Sequence, residues 1–329
     1  MNRKSIANKL ELAYAPLTNY EFAIVKDDKY IERALERASL YVIGQRPVIT
    51  FENLVPNFLD YSISFEIHQK GNTNILKGKL PLKQASISGV FGDTIAIALN
   101  FLDKEDIKNK PPFGNLYGFS LSKQTDSTPE FILWLSPEKL LKNWWKGDIE
   151  CKIEGDFKSF LKYKVHYVGK ATKQKILQRL TGHSTLQDII SLEKPITYKD
   201  LPTYEIAILC FEFNDNLEFH VFGDNASVQE MTASLLGENF PSQESIFLDA
   251  EKALIRAMEP RYNKELFRSY PKSKDGLFRD KYDYISYSFI DPITLEYEQG
   301  EINGSPNYDE GDSIVIKENK EFTLVKNKE

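Results

Sequence analysis

The apolar positions along the first half of the chain change period several times. Ile31, Ala34, Leu35, Ala38 and Tyr41 recur at helical spacing, so Asp27 or Asp28 can cap a helix running through Val42. Residues 61–67 alternate as a half-buried strand does, Gly71-Asn72 offers a hairpin turn, and residues 75–82 form the return strand. Further strands are predicted over about 94–102, 116–121 and 131–135. Ser136 at a cap and Pro137 at the first helical position start a helix that ends at Trp144-Trp145.

In the second half, residues 164–168 read as a short strand ending at Gly169. Thr172 is a good N-cap for the following helix and Gly182 a stop, with Ile176, Leu177 and Leu180 on one face. Arg179 and His183 are four apart and lie together on the border of that apolar stripe. A short helix over 186–192 precedes two apolar runs, 205–213 and 217–222, which read as a hairpin across Asn214-Asp215-Asn216. Residues 226–236 are expected to be helical. A longer helix after Pro241-Ser242 carries Ile246, Phe247, Ala250, Leu254, Ala257 and Met258 as its stripe, and Pro260 ends it. Glu251 falls just outside one edge of that stripe. From about 271 onward come short strands at 284–289, 294–297, 313–316 and 322–325, with 303–311 as an acidic loop.

Composition narrows the class. With 329 residues, 41% hydrophobic and 27% charged, the chain reads as a globular protein of two or three domains. The expected division is an N-terminal α/β domain of unknown role over 1–147, a central domain over 148–270 and a C-terminal antiparallel β extension over 271–329. Cys151 and Cys210 form no disulfide framework or metal-ligand pattern and read as buried thiols of a reducing compartment. No apolar run reaches the ~20 residues of a membrane span, and no apolar run follows the basic start. A cytoplasmic protein is expected. The net charge of −6 excludes a uniformly basic nucleic-acid coat. Charge is uneven, however: residues 157–183 hold seven lysines and arginines and no acid. A second basic run follows Glu251. A basic face in an acidic chain suits phosphate binding, although any one of these lysines equally fits a solvated surface.

The chemistry gathers in three places. Tyr167-Val168-Gly169-Lys170-Ala171 sets a tyrosine and a lysine around a glycine turn; Arg179 and His183 follow; Glu251 opens the run to Pro260-Arg261-Tyr262-Asn263. This ordered set resembles the GIY-YIG nuclease family over roughly residues 150–265. The resemblance implies an α/β (α+β) fold, with a small three-stranded mixed or antiparallel sheet flanked by helices. It also implies a metal-dependent endonuclease cleaving phosphodiester bonds of DNA in preference to RNA. Tyr167, Lys170, Arg179, His183 and Glu251 would be catalytic, and Glu251 would hold Mg2+ or Mn2+. Lys173, Lys175, Arg256, Arg261 and Asn263 would meet nucleic acid, with Asn263 also tying down the chain after its helix. Each residue has a plainer role open to it: core tyrosine, exposed lysine, helix salt bridge, or C-terminal helix histidine. The family's first motif, Gly-Ile-Tyr, has its nearest match in Gly155-Asp156-Phe157, which lacks the tyrosine. Without that tyrosine the alternative is a nucleic-acid-binding protein with a degenerate site.

Overall fold

A computed structural model describes residues 3–87, 94–103, 106–107, 109–124, 128–192, 204–224, 226–307 and 310–327. In chain order the elements are β1 (Arg3–Leu12), β2 (Leu17–Thr18), α1 (Asn19–Val25), α2 (Lys29–Ala34), β3 (Leu40–Pro47), β4 (Ile49–Asn57), β5 (Ser62–Gln69), β6 (Leu76–Pro81) and β7 (Ile95–Phe101). Next come β8 (Leu116–Lys123), β9 (Glu130–Leu135), α3 (Pro137–Lys146), β10 (Lys152–Glu154), β11 (Lys162–Lys170), α4 (Ile176–Thr181), α5 (Ser184–Leu192) and β12 (Tyr204–Val221). The chain finishes with α6 (Val228–Leu235), α7 (Gln243–Met258), β13 (Tyr284–Phe289), β14 (Thr294–Tyr297), β15 (Gly300–Asn303), β16 (Ser313–Lys317) and β17 (Glu321–Val325).

Two compact units contain these elements. One comprises 1–46, 161–194 and 206–329; the other comprises 47–160 and 195–205. The boundaries expected near 147 and 270 are linear, whereas these units are discontinuous. In the first unit, β1 takes β12 antiparallel on one side and β13 parallel on the other. Strand β14 pairs in parallel with the start of β11. The expected C-terminal extension is therefore built into the main sheet, which runs β15-β14-β11-β3-β12-β1-β13-β16-β17, with β2 on β12. In the second unit the order is β10-β6-β5-β4-β8-β7, with β9 on β8.

The expected fold class is corrected by this arrangement. The protein is mostly β, 40% strand against 23% helix, with two large sheets in place of a small three-stranded sheet flanked by helices. Three local expectations differ as well. First, the helix expected through Val42 stops after α2, which Asp28 does cap, and residues 40–43 enter β3. Ile31, Leu35, Ala38 and Tyr41 all join one core cluster, so their spacing reported burial and not a continuous helix. A central strand buried on both faces shows no alternation to betray it. Second, Asn214-Asp215-Asn216 makes no hairpin. It lies inside the single long strand β12, where Asn216 donates to Asn8 at 2.8 Å and Asp215 pairs with Lys9 at 3.6 Å. A register shift between Lys9 and Leu10 absorbs the irregularity there. Third, the helix expected from Thr172 begins only at Ile176, with Lys175 at its N-cap. The expected cap at Ser136 holds, its side chain accepting from Lys139 N–H, and α3 runs past Trp145 to Lys146, where Gly147, at φ 77°, closes it.

Candidate active site

Strand β3 lies between β11 and β12, and its pairing with β11 sets the site. Tyr41 stands opposite Gly169 and Ile43 opposite Tyr167. Tyr41, Tyr167 and the bare Gly169 position therefore share one face. Gly169 is a requirement of packing. A Cβ on it would sit 2.6 Å from Cζ and the hydroxyl of Tyr41 and 2.6 Å from Tyr167 Cε1. The absent side chain lets the Tyr41 ring lie over the strand, with ring centroids 6.0 Å from Tyr167.

Helices α4 and α5 complete this face. Ile176, Leu177 and Leu180 bury the stripe of α4 in the same cluster as Tyr41. Gly182 then ends α4, and His183 takes up the turn before α5. His183 is buried, with its ring 5.0 Å from that of Tyr167 and 5.8 Å from that of Tyr41. The Leu186 N–H donates to His183 Nδ1 at 3.2 Å, so the neutral ring carries its proton on Nε2. That Nε2 has no partner among the described residues. Burial, and then the Arg179 guanidinium, lower the His183 pKa to about 4. It is thus a neutral donor near pH 7.

The Tyr41 hydroxyl is fully buried and makes no hydrogen bond of standard geometry. Burial and the Tyr167 hydroxyl push its ionisation well above the ordinary range, and Arg179 opposes them. Tyr167 is raised by burial and then by the Glu251 charge, again against Arg179. Arg179 thus sits close to both phenols, and it makes no carboxylate ion pair among the described residues.

Glu251 comes from α7, which packs against β11. Ser242 caps that helix, and Glu259, in the left-handed region at φ 42°, ends it just before Pro260. The sequence places Glu251 at the edge of an apolar stripe; in the fold it is only 8% exposed. Burial raises its pKa, and the Lys170 ammonium, 2.5 Å from Oε2, counters the rise. Its other oxygen has no hydrogen-bond partner among the described residues. Beyond α7, Tyr262 N–H donates to His166 C=O at 3.1 Å. The Asn263 side chain both accepts from Val168 N–H at 2.9 Å and donates to Val168 C=O at 2.8 Å. It acts as a short substitute strand along β11, so both ends of its amide are committed to the backbone.

Tyr167, Arg179, His183, Glu251 and Asn263 line one open cleft of about 320 Å3, joined by Tyr262, Lys264 and Phe267. The other residues expected at nucleic acid are placed differently. Lys173 is exposed. Lys175 pairs with Glu32 at 2.8 Å, Arg256 pairs with Glu259 at 2.8 Å, and the Arg261 guanidinium lies over the Tyr262 ring. Gly155-Asp156-Phe157 belongs to the other compact unit, where Phe157 packs on Trp144. Sequence reasoning missed Tyr41 as a site residue. Its signal was the run Leu40-Tyr41-Val42-Ile43-Gly44, hidden because all of 47–160 separates it from Tyr167.

Among the described residues no three His, Cys, Asp or Glu side chains gather as a metal cage. Glu251 offers one carboxylate with a free oxygen at the cleft. That donor set fits a hard cation that keeps most of its waters, as Mg2+ does, and not a dehydrated tetrahedral metal. Comparison with known proteins adds nothing to this geometry: no family model, no curated protein and no solved structure matches the chain.

Proposed function

We propose that this cleft hydrolyses phosphodiester bonds of nucleic acid, DNA in preference to RNA, with Mg2+ or Mn2+ held by Glu251. One observation carries the reading. Tyr167, Arg179, His183 and Glu251 come from three separate chain segments and line a single cleft, with the buried Tyr41 ring packed against Tyr167 and His183, although packing alone requires no such polar set. Tyr41 lies on β3, the strand paired with β11, opposite Gly169 and two residues from the partner of Tyr167. The reading rests on this residue set and not on the fold.

In the reaction a water oxygen attacks phosphorus, the P–O bond to the leaving oxygen breaks, and the proton shed by the attacking water passes through solvent in the open cleft to the leaving oxygen. Both phenols keep their protons at neutral pH, since burial raises them. Tyr167, which lines the cleft, orients the attacking water through a hydrogen bond instead of acting as a phenolate, and the buried Tyr41 ring packs against it. Arg179, close to both phenols and with no carboxylate partner among the described residues, can place its fork on the phosphoryl oxygens, where negative charge builds. His183 Nε2–H is a second donor, already desolvated and fixed in tautomer by Leu186. Bound at Glu251, a divalent ion would supply charge neutralisation and a more acidic water. Asn263 holds β11 in register behind the site.

Glu251→Gln tests this. The wild type should nick plasmid DNA with Mg2+ and stop on EDTA addition, while Glu251→Gln should bind DNA and cut nothing. Wild-type protein that binds DNA but leaves every nucleic acid intact would favour the non-catalytic binding module. Unchanged cleavage by Glu251→Gln would remove Glu251 from the site.

A further inference from the structure

The ammonium of Lys170 sits 2.5 Å from Glu251 Oε2, against the carboxylate assigned to the metal. Four charged groups meet here. Glu251 is influenced by Lys170, then Lys252, then Asp275. Lys252 Nζ is itself 2.5 Å from Asp275 Oδ1 and also donates to the backbone oxygens of Leu248 and Asp275. Asp275 in turn responds to both lysines. The set holds two ammonium groups and two carboxylates, so it is neutral without any metal. Lys252 is fixed, since its side chain is 5% exposed and bonded at three oxygens. Lys170 is held by Glu251, and its side chain is 29% exposed on a four-carbon stem.

A divalent cation arriving at Glu251 would meet an ammonium a few ångströms away and leave the cluster with excess positive charge. Unit charges at such distances interact strongly in a partly buried site. A phosphodiester restores neutrality, and it gives the Lys170 ammonium an acceptor in place of Oε2. We propose that Lys170 is a resident counter-ion of Glu251 that leaves for the substrate phosphate as the metal binds, so that metal and nucleic acid bind cooperatively. Lys170 is then a gate on metal loading: the empty cleft takes metal poorly, and the cleft holding nucleic acid takes it well. This rests on Glu251 as the metal ligand and adds how its occupancy is regulated.

Mn2+ binding to the full chain, read by electron paramagnetic resonance, tests the coupling without reference to activity. Without nucleic acid, Lys170→Met should bind Mn2+ roughly tenfold or more tighter than wild type, since a like charge has left the site. Lys170→Arg, which keeps the charge, should resemble wild type. Adding a saturating DNA oligonucleotide should tighten Mn2+ binding to the wild type by a similar factor, and to Lys170→Met by much less. Lys170→Gln repeats the neutral substitution should the methionine variant fold poorly. Neutral variants that bind Mn2+ no tighter than wild type would overturn the proposal, as would oligonucleotide without effect on wild-type Mn2+ affinity. Glu251→Gln separates the two ideas. Loss of Mn2+ binding there, with no Lys170 effect, sinks the gate alone; unchanged Mn2+ binding in Glu251→Gln sinks both gate and metal site.

Discussion

Removing the Tyr41 hydroxyl separates the two demands on this residue. Tyr41 is fully buried and its hydroxyl makes no hydrogen bond of standard geometry. An unpaired buried polar group costs about 1–3 kcal/mol. Arg179 and Tyr167 lie near enough to influence the hydroxyl and offset part of that cost. Tyr41→Phe keeps the ring over Gly169 and should therefore stabilise the fold by about 0.5–2 kcal/mol. For a cooperative unit of this size that is a rise of a few degrees, about 2–4 °C per kcal/mol. Urea titration should show a higher midpoint with an unchanged m-value, because the area exposed on unfolding is the same. DNA nicking in the same preparation should fall roughly 100-fold, the scale of misplacing groups that position the reactants, because the Tyr41 hydroxyl acts on Tyr167 and Arg179. A more stable but inactive variant is the signature of a side chain kept for chemistry. A variant less stable than wild type by a kcal/mol would show that the hydroxyl is bonded in the native state. A variant that nicks at the wild-type rate would show that it plays no part in cleavage.

Three further outcomes follow from the same geometry. Gly169→Ala puts a Cβ 2.6 Å from Tyr41 and Tyr167 and should cost about 1–3 kcal/mol by overpacking; thermal melting would show this, and an unchanged melting curve would refute the close approach. His183, held near a pKa of about 4 by burial, binds a proton less readily folded than unfolded, so its contribution is complete above about pH 6.5 and is lost as pH falls toward 4. Relative to His183→Asn, which keeps a cap acceptor, the wild type should lose up to roughly 3 kcal/mol over that window, measured by denaturation at a series of pH values. Asn263→Ala leaves the Val168 backbone unpaired and should cost about 1–3 kcal/mol in stability without altering the salt dependence of DNA binding; a reduced salt slope would place Asn263 on the phosphates instead.

Elements whose signals are local were legible in the chain. Asp28, Ser136, Ser242 and Pro260 mark helix ends by hydrogen bonding and backbone geometry that need no distant partner. The strands over 62–69, 284–289 and 313–317 have one face inward and alternate accordingly. The order Tyr167, Lys170, Arg179, His183 and Glu251 also stood in the sequence, and four of these five line the cleft. Lys170 meets that set through Glu251.

What the sequence by itself determined was the local vocabulary: caps, amphipathic periods, a basic segment and an ordered set of chemical groups. Tertiary structure alone decided which strand is central, because β3 is buried on both faces and carries no periodic mark of its partners. It also decided that Asn214-Asp215-Asn216 stays extended, since β1 supplies Asn8 and Lys9 opposite those polar side chains. Tyr41 belongs to the site for the same reason. Pairing across a β-sheet is set by register and burial, which are properties of two segments together. No reading of either segment alone contains the contact between Tyr41 and Gly169.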